Sequence, residues 1–174
     1  MIYIVSGFFR SGTSMMMQAL ESTGFSIYRS RSRDAFNELH TDCTKRPNPV
    51  SLYEPGMDDL RMPGFPRQHD GKAVKILVPW LSSMAVHDYR VLVMRRNPEA
   101  IIASYERAFH EFWDKRTRDA FISDYPLRME EALRWFRNRR DVRSVSVLEF
   151  EDAVRHPIQS IRTLGWEGDL CHAA

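Results

Sequence analysis

The sequence predicts an α/β protein of 174 residues, a three-layer α/β/α sandwich around a central parallel sheet forming one domain over residues 1–174. Two observations predict it. Short runs rich in apolar and β-branched residues recur at Met1 to Val5, Ala73 to Val78, Arg90 to Met94 and Ser144 to Phe150. Strands buried on both faces of a parallel sheet read this way. Helical stretches alternate with these runs, and alternating strands and helices place helices on both faces of the sheet.

The first strand runs into Gly7-Phe-Phe-Arg-Ser-Gly-Thr-Ser14, which is almost a P-loop. Gly7, Gly12 and Ser14 keep the G-x-x-x-x-G-K-[ST] spacing, but Thr13 stands where the lysine belongs and Arg10 supplies a cation three residues earlier. In a nucleotide triphosphatase that lysine reaches the β- and γ-phosphates. This loop is therefore expected to hold a phosphate-like group other than the end of a triphosphate, on a P-loop NTPase-like scaffold. A helix follows from Met15 to Thr23, with Met16, Ala19 and Leu20 on one face and Gly24 as its stop. Strand, glycine loop and helix start together aim backbone N–H groups and a helix dipole at an anion. The same Gly-Thr-Ser turn also fits a simple helix N-cap by Thr13 or Ser14.

Residues 28 to 70 are polar, rich in Pro and Arg, and without clear periodicity. Such a stretch is either a surface excursion or a lid, and it is assigned here to the acceptor side of the site. The strand at Ala73 to Val78 is bounded by Asp70-Gly71 and Pro79. After Arg90 to Met94 come Arg95, Arg96, Asn97, Pro98 and Glu99: an N-cap, a first-turn proline and a first-turn acid. The helix they open runs through Ile101, Ile102, Tyr105 and Phe109, so Arg96 leaves a strand end and Ser104 lies near the start of the next helix. In a doubly wound sheet that edge binds ligands; solvated arginines and a packed serine are the alternative reading. A last helix is expected from Pro126 to Arg140, with Met129, Ala132, Leu133 and Phe136 inward, before the final strand.

Composition limits the function classes. A net charge of +2 does not argue for nucleic acid, and 21 arginines against 4 lysines suit forked anion contacts or simply a biased genome. Cys43 and Cys171 lie far apart with no CxxC, which argues against a zinc site or a disulfide scaffold and favours a reducing compartment. No apolar run reaches membrane-spanning length.

Taken together, Phe9-Arg10-Ser11-Gly12-Thr13-Ser14 and Arg96-Asn97-Pro98 with Ser104 resemble two motifs of the sulfotransferase family. These are its 5′-phosphosulfate loop, P-[KR]-S-G-T-[ST], and its 3′-phosphate motif, R-[DN]-P followed by a serine eight residues after the arginine. Phe150-Glu151-Asp152 through Pro157 resembles the family's [YF]-E-D-L-x-x-x-P segment, and Asn48 through Glu54 its N-P-x-G-[FYW]-x-E stretch. The resemblance covers residues 5 to about 157 and implies 3′-phosphoadenosine 5′-phosphosulfate as donor. It also implies transfer of the sulfuryl group to a hydroxyl or amine of a small-molecule or glycan acceptor, with no metal. Arg10 would neutralise the bridging and leaving-group oxygens. Backbone N–H groups from Ser11 through Gly12 to Ser14, with the Thr13 and Ser14 hydroxyls, would hold the 5′-phosphate, and Arg96 with Ser104 the 3′-phosphate. Membrane-anchored members carry a spanning segment, so a cytoplasmic protein without nucleic-acid or membrane partners is expected.

Two departures from the family pattern bear on mechanism. Many members end the second strand with K-T-H, the histidine being the base; here Lys75 is kept, near the sulfuryl group, and Leu77 takes the histidine's place. Glu54 is then the candidate base, with His69, His87 and His110 as alternatives, since a base is recognised by its reach to the acceptor proton. The late R-K-G-x-x-G loop has no counterpart, so either donor affinity is weak or Arg95 and the Arg-rich segment with Arg29, Arg31 and Arg33 substitute for it. Alternatives to the enzyme are a degenerate nucleotide-binding relative, and a P-loop kinase of small molecules. The kinase would need a lysine where Thr13 stands and a strand-end aspartate.

Overall fold

The computed structural model describes residues 1–30 and 53–166. Strands β1 (Ile2–Gly7), β2 (Ala73–Leu77), β3 (Tyr89–Arg95) and β4 (Val142–Glu149) form one parallel sheet in the order β2-β1-β3-β4. The helices described are α1 (Thr13–Ser22), α2 (Met57–Arg61), α3 (Phe65–Gln68), α4 (Pro98–Phe109), α5 (Lys115–Arg137), α6 (Phe150–Arg155) and α7 (Pro157–Thr163). A 3₁₀ turn spans Val78–Ser83.

The alternation of side chains along each strand divides the core in two. Ile2 and Ile4 of β1, Val74 and Ile76 of β2, and Val91 and Val93 of β3 face Ile101 of α4 and Met129, Leu133 and Phe136 of α5. Tyr3, Val5, Leu92 and Met94 face Met16, Met17 and Leu20 of α1, Ala153 of α6 and Ile161 of α7. The sheet thus has helices on both faces, and β1 pairs with β2 on one side and β3 on the other. The chain crosses from β1 to β2 and then back over β1 to β3, which makes the C-terminal ends of β1 and β3 a topological switch point.

Several element boundaries differ from expectation. The long helix begins at Lys115, eleven positions before Pro126, because Asp114 caps it by accepting from the Thr117 N–H at 2.7 Å and Phe121 and Tyr125 pack on Phe8. Pro126 sits inside that helix on an exposed face. The final strand ends at Glu149, and Phe150 opens α6 instead of closing the strand. Val78 belongs to the 3₁₀ turn and not to β2. Within the stretch 28–70, Tyr28, Tyr53, Leu60 and Phe65 are buried, so residues 53–70 pack on the core and are no surface excursion. Residues 31–52, with Arg31, Arg33 and Cys43, lie outside the described residues, as does Cys171.

Candidate functional site

The loop between β1 and α1 is set by close approach. A Cβ at Gly7 would stand 2.5 Å from Ser11 Oγ and 2.7 Å from the Met94 carbonyl oxygen, and one at Gly12 would stand 2.4 Å from the Phe150 ring. Gly12, at φ +94°, is itself the N-cap of α1, so neither Thr13 nor Ser14 supplies a side-chain cap. The first N–H groups of any α-helix lack partners within it, and those of α1 open at this loop. Ser11 does not join them: its N–H and its hydroxyl both donate to the Phe8 carbonyl, at 3.2 and 2.6 Å. Its role is to shape the loop, a correction to the expectation that its N–H faces the ligand.

Arg10 lies at φ +60°, a left-handed conformation unusual outside glycine that costs on the order of 1 kcal/mol or more. From there its Nε donates to Ser104 Oγ at 3.1 Å, joining the two motifs. Arg96 leaves the end of β3 and donates from Nη1 to the Arg10 carbonyl at 2.8 Å. Its backbone N–H donates to the Tyr125 hydroxyl at 3.1 Å, and its guanidinium lies 3.9 Å from the centre of the Phe150 ring. The α4 helix that presents Ser104 starts as its sequence dictates, the Asn97 side chain accepting from the N–H groups of Glu99 and Ala100.

The electrostatics of this corner are one-sided. Burial holds Arg10 below the ordinary arginine value, and the neighbouring charges of Arg96 and Arg107 lower it further. Burial likewise lowers Arg96; Glu151 opposes the shift and Arg107 adds to it. Arg10 and Arg96 stay charged at neutral pH, since arginine titrates far above it. Arg96 Nε is buried and finds no hydrogen-bond partner among the described residues. An unsatisfied buried donor is costly, so this position suits an added acceptor. A dianionic group would accept from it and relieve the repulsion among the three arginines.

A second half of the site adjoins the loop at the end of β2. Lys75 is buried at 2% exposure; its Nζ donates to Ser14 Oγ at 2.7 Å and lies 2.5 Å from Glu54 Oε1. Glu54 and Lys75 border an open cleft of about 50 Å³ that Met57, Leu60, Leu77 and Trp80 also line. The predicted site residues therefore fall into two connected groups. Arg10, Gly12, Arg96 and Ser104 gather at the switch point, and Ser14 links them to Lys75 and Glu54.

The alternative bases do not join them. His69 caps α3 at its C-terminal end, ahead of β2, and packs against the rings of Tyr28 and Phe65, burial holding its pKa below the ordinary value. His87 precedes β3 and bonds Asp70 Oδ1 at 2.8 Å. Both lie at the N-terminal edge of the sheet, opposite the glycine loop. His110 is exposed at the C-cap of α4. Arg29 pairs with Glu21, which lies roughly 10 Å along the α1 axis from Ser14 at 1.5 Å per residue. Arg95 forks onto Glu149, its Nε at 2.6 Å from Oε1. Neither is placed to replace a phosphate-closing loop.

Sequence reasoning missed Arg107, and it marked Phe150 only as the head of a family-like segment, not as a neighbour of the glycine loop. Arg107 follows Ser104 by three residues, a spacing that puts both on one helix face, and this was the available signal. The contact of Phe150 with Gly12 carries no such signal, because it spans most of the chain.

No protein-family model matches the chain, and no curated protein matches it. Among solved structures, an uncharacterized protein from Eubacterium ventriosum aligns over 94% of this chain and 98% of its own, at 11% identity and a TM-score of 0.39. A likeness that weak supports no statement about either fold or activity.

Proposed function

We propose that the protein is a sulfotransferase with a P-loop-like nucleotide site, moving the sulfuryl group of 3′-phosphoadenosine 5′-phosphosulfate to a hydroxyl or amine. The observation that carries the reading is the meeting of Arg10, Arg96 and Arg107 at the switch point, with a buried Arg96 Nε that has no hydrogen-bond partner among the described residues. The residues suit such a donor: a glycine loop and helix start for one phosphate, and Arg96 and Ser104, each bonded to Arg10, for the other. That second pair is what would discriminate this donor from ordinary adenine nucleotides.

When bound, the donor would supply a sulfuryl group whose S–O bond to phosphate breaks as a new S–O bond to a hydroxyl acceptor, or S–N bond to an amine, forms. The chain's own contribution is positioning and charge stabilisation. Arg10, tied by Ser104 and by its carbonyl to Arg96, presents its guanidinium where the leaving phosphate oxygens gather charge. Lys75 spans the loop and the cleft, so it can serve the transferring oxygens from a fixed place. Glu54 lies at the acceptor cleft and takes the acceptor's proton. General-base work of this sort requires direct reach to that proton.

Calorimetric titration tests the reading with 3′-phosphoadenosine 5′-phosphate, adenosine 5′-phosphate and ATP with Mg²⁺. The 3′-phosphorylated ligand is expected to bind best. Arg96→Ala is expected to weaken it by roughly 10- to 100-fold, the loss of a charge-assisted hydrogen bond. Preference for Mg-ATP, or no binding of any of the three, overturns the proposal.

A further inference from the structure

We infer that Tyr125 is a positioning residue of the anion corner, its hydroxyl fixing the backbone from which Arg96 reaches a ligand. The inference rests on the donor-site reading for the role of Arg96, while the contact that fixes Arg96 stands on geometry alone.

Arg96 occupies a tightly bounded place in the chain. Pairing between β3 and β4 ends at Arg95 and Glu149, beyond which Phe150 opens α6. Asn97 already caps α4. Arg96 is thus the one residue between a strand and a helix cap, and its N–H lies past the end of the ladder. That N–H donates to the Tyr125 hydroxyl at 3.1 Å. Tyr125 comes from the middle of α5 and is 5% exposed, its ring 5.1 Å from that of Phe8 and 5.8 Å from that of Phe121. Phe8 belongs to the glycine loop, and its carbonyl accepts both bonds from Ser11. A single side chain therefore joins the loop after β1 to the turn after β3, the two segments in which Arg10 and Arg96 meet.

The consequence falls on the guanidinium. Its tip is held by the Arg10 carbonyl at 2.8 Å and by the Phe150 ring at 3.9 Å, and Tyr125 holds the residue at its root. A catalytic group misplaced by about 1 Å can cost roughly 100-fold, so the root matters as much as the tip. Burial keeps the Tyr125 phenol above its ordinary value. It is therefore neutral at neutral pH and accepts the N–H without setting a negative charge beside Arg96. Phenylalanine at this position keeps the ring against Phe8 and removes the acceptor, which leaves a part-buried N–H unsatisfied. That substitution separates positioning from core filling.

The test compares Tyr125→Phe with Met129→Ala, which empties a buried core position one turn further along α5. Two readouts are taken: calorimetric affinity for 3′-phosphoadenosine 5′-phosphate, and the Arg96 Nε–H resonance of the ligand-free protein, assigned with Arg96→Lys. Tyr125→Phe is expected to weaken binding roughly tenfold, the worth of one hydrogen bond, and to shift the Nε–H resonance. Met129→Ala is expected to lower the melting temperature and leave both readouts at their parent values. A Tyr125→Phe protein that melts earlier but keeps the parent affinity and resonance overturns the inference, and so does an equal change of both readouts in Met129→Ala. Failure of the parent protein to bind 3′-phosphoadenosine 5′-phosphate counts against the donor reading alone. The Nε–H resonance, which needs no ligand, then decides the role of Tyr125: a shift in Tyr125→Phe supports it and an unmoved signal overturns it.

Discussion

Lys75 is 2% exposed, yet its ammonium holds both Ser14 of the glycine loop and Glu54 of the cleft. Desolvating a lysine and a carboxylate is expensive, so the pair stands because each satisfies the other, and removing one partner is worse than removing both. Lys75→Met is therefore expected to lower stability by about 3 kcal/mol. The double variant Lys75→Met with Glu54→Gln is expected to recover part of that loss. Urea denaturation of the two single variants and the double closes the cycle; a double-variant loss equal to the sum of the two single losses would mean that the pair is not coupled. Arg10 is the complementary case at this scale. Its left-handed backbone is strained, and what holds it is the Ser104 and Arg96 contacts made by its side chain and carbonyl.

At the scale of elements, α5 shows how packing overrides propensity. Its 23 residues run through Pro126, which has no N–H to donate and disfavours the interior of a helix. Phe121 and Tyr125 on one side of the proline, and Met129, Leu133 and Phe136 on the other, all pack against the same core, and this keeps the two halves in line. Pro126→Ala is expected to raise stability, by up to about 3 kcal/mol, since the exposed ring makes no core contribution to lose. A higher urea midpoint with an unchanged slope checks it; a lower midpoint would show that the proline sets the geometry of Tyr125 under Arg96. The α4 helix is the opposite case, its start dictated locally by Asn97, Pro98 and Glu99.

Across the whole molecule the two edges of the sheet divide the work. The C-terminal edge gathers the glycine loop, the arginines and the cleft. The N-terminal edge is stitched by polar contacts that carry stability: Asp141 accepts from the His87 N–H at 3.0 Å and from Arg139 Nε at 2.8 Å. Burial works to raise the Asp141 pKa, but the hydrogen bonds from Arg139 and His87 outweigh it and the carboxyl titrates below its ordinary value. A folded pKa below the unfolded one contributes stability that is fully present above the unfolded value, about 4. That stability is lost as pH falls through the folded value. Thermal melts of Asp141→Asn are expected to show lower stability at neutral pH and a shallower decline below about pH 4. A variant that falls as steeply as the parent would place the acid sensitivity elsewhere. Among the described residues, no helix is long and apolar enough to cross a membrane.

What the sequence determined by itself was whatever short-range chemistry controls. Strands β1, β2 and β3 are legible because apolar, β-branched runs have few places to go but a sheet covered on both faces, and β4, a half-exposed edge, is legible by its recurring valines. The glycine loop is legible because Gly7 and Gly12 sit at fixed spacing after such a run, and the α4 cap because Asn97-Pro98-Glu99 needs no distant partner. The inward face of α5 at Met129, Ala132, Leu133 and Phe136 followed from its period alone. Contacts between distant segments were decided only in three dimensions. The strand order made β1 and β3 neighbours, which set Arg10 against Ser104 and Arg96 and drew Arg107 to the same corner. It also sent His69 and His87 to the opposite edge and brought Lys75 onto Glu54. The reason is physical: spacing along a chain controls which residues share a face, but the electrostatics of a site depends on charges a few ångströms apart, and those distances exist only once the strands have paired.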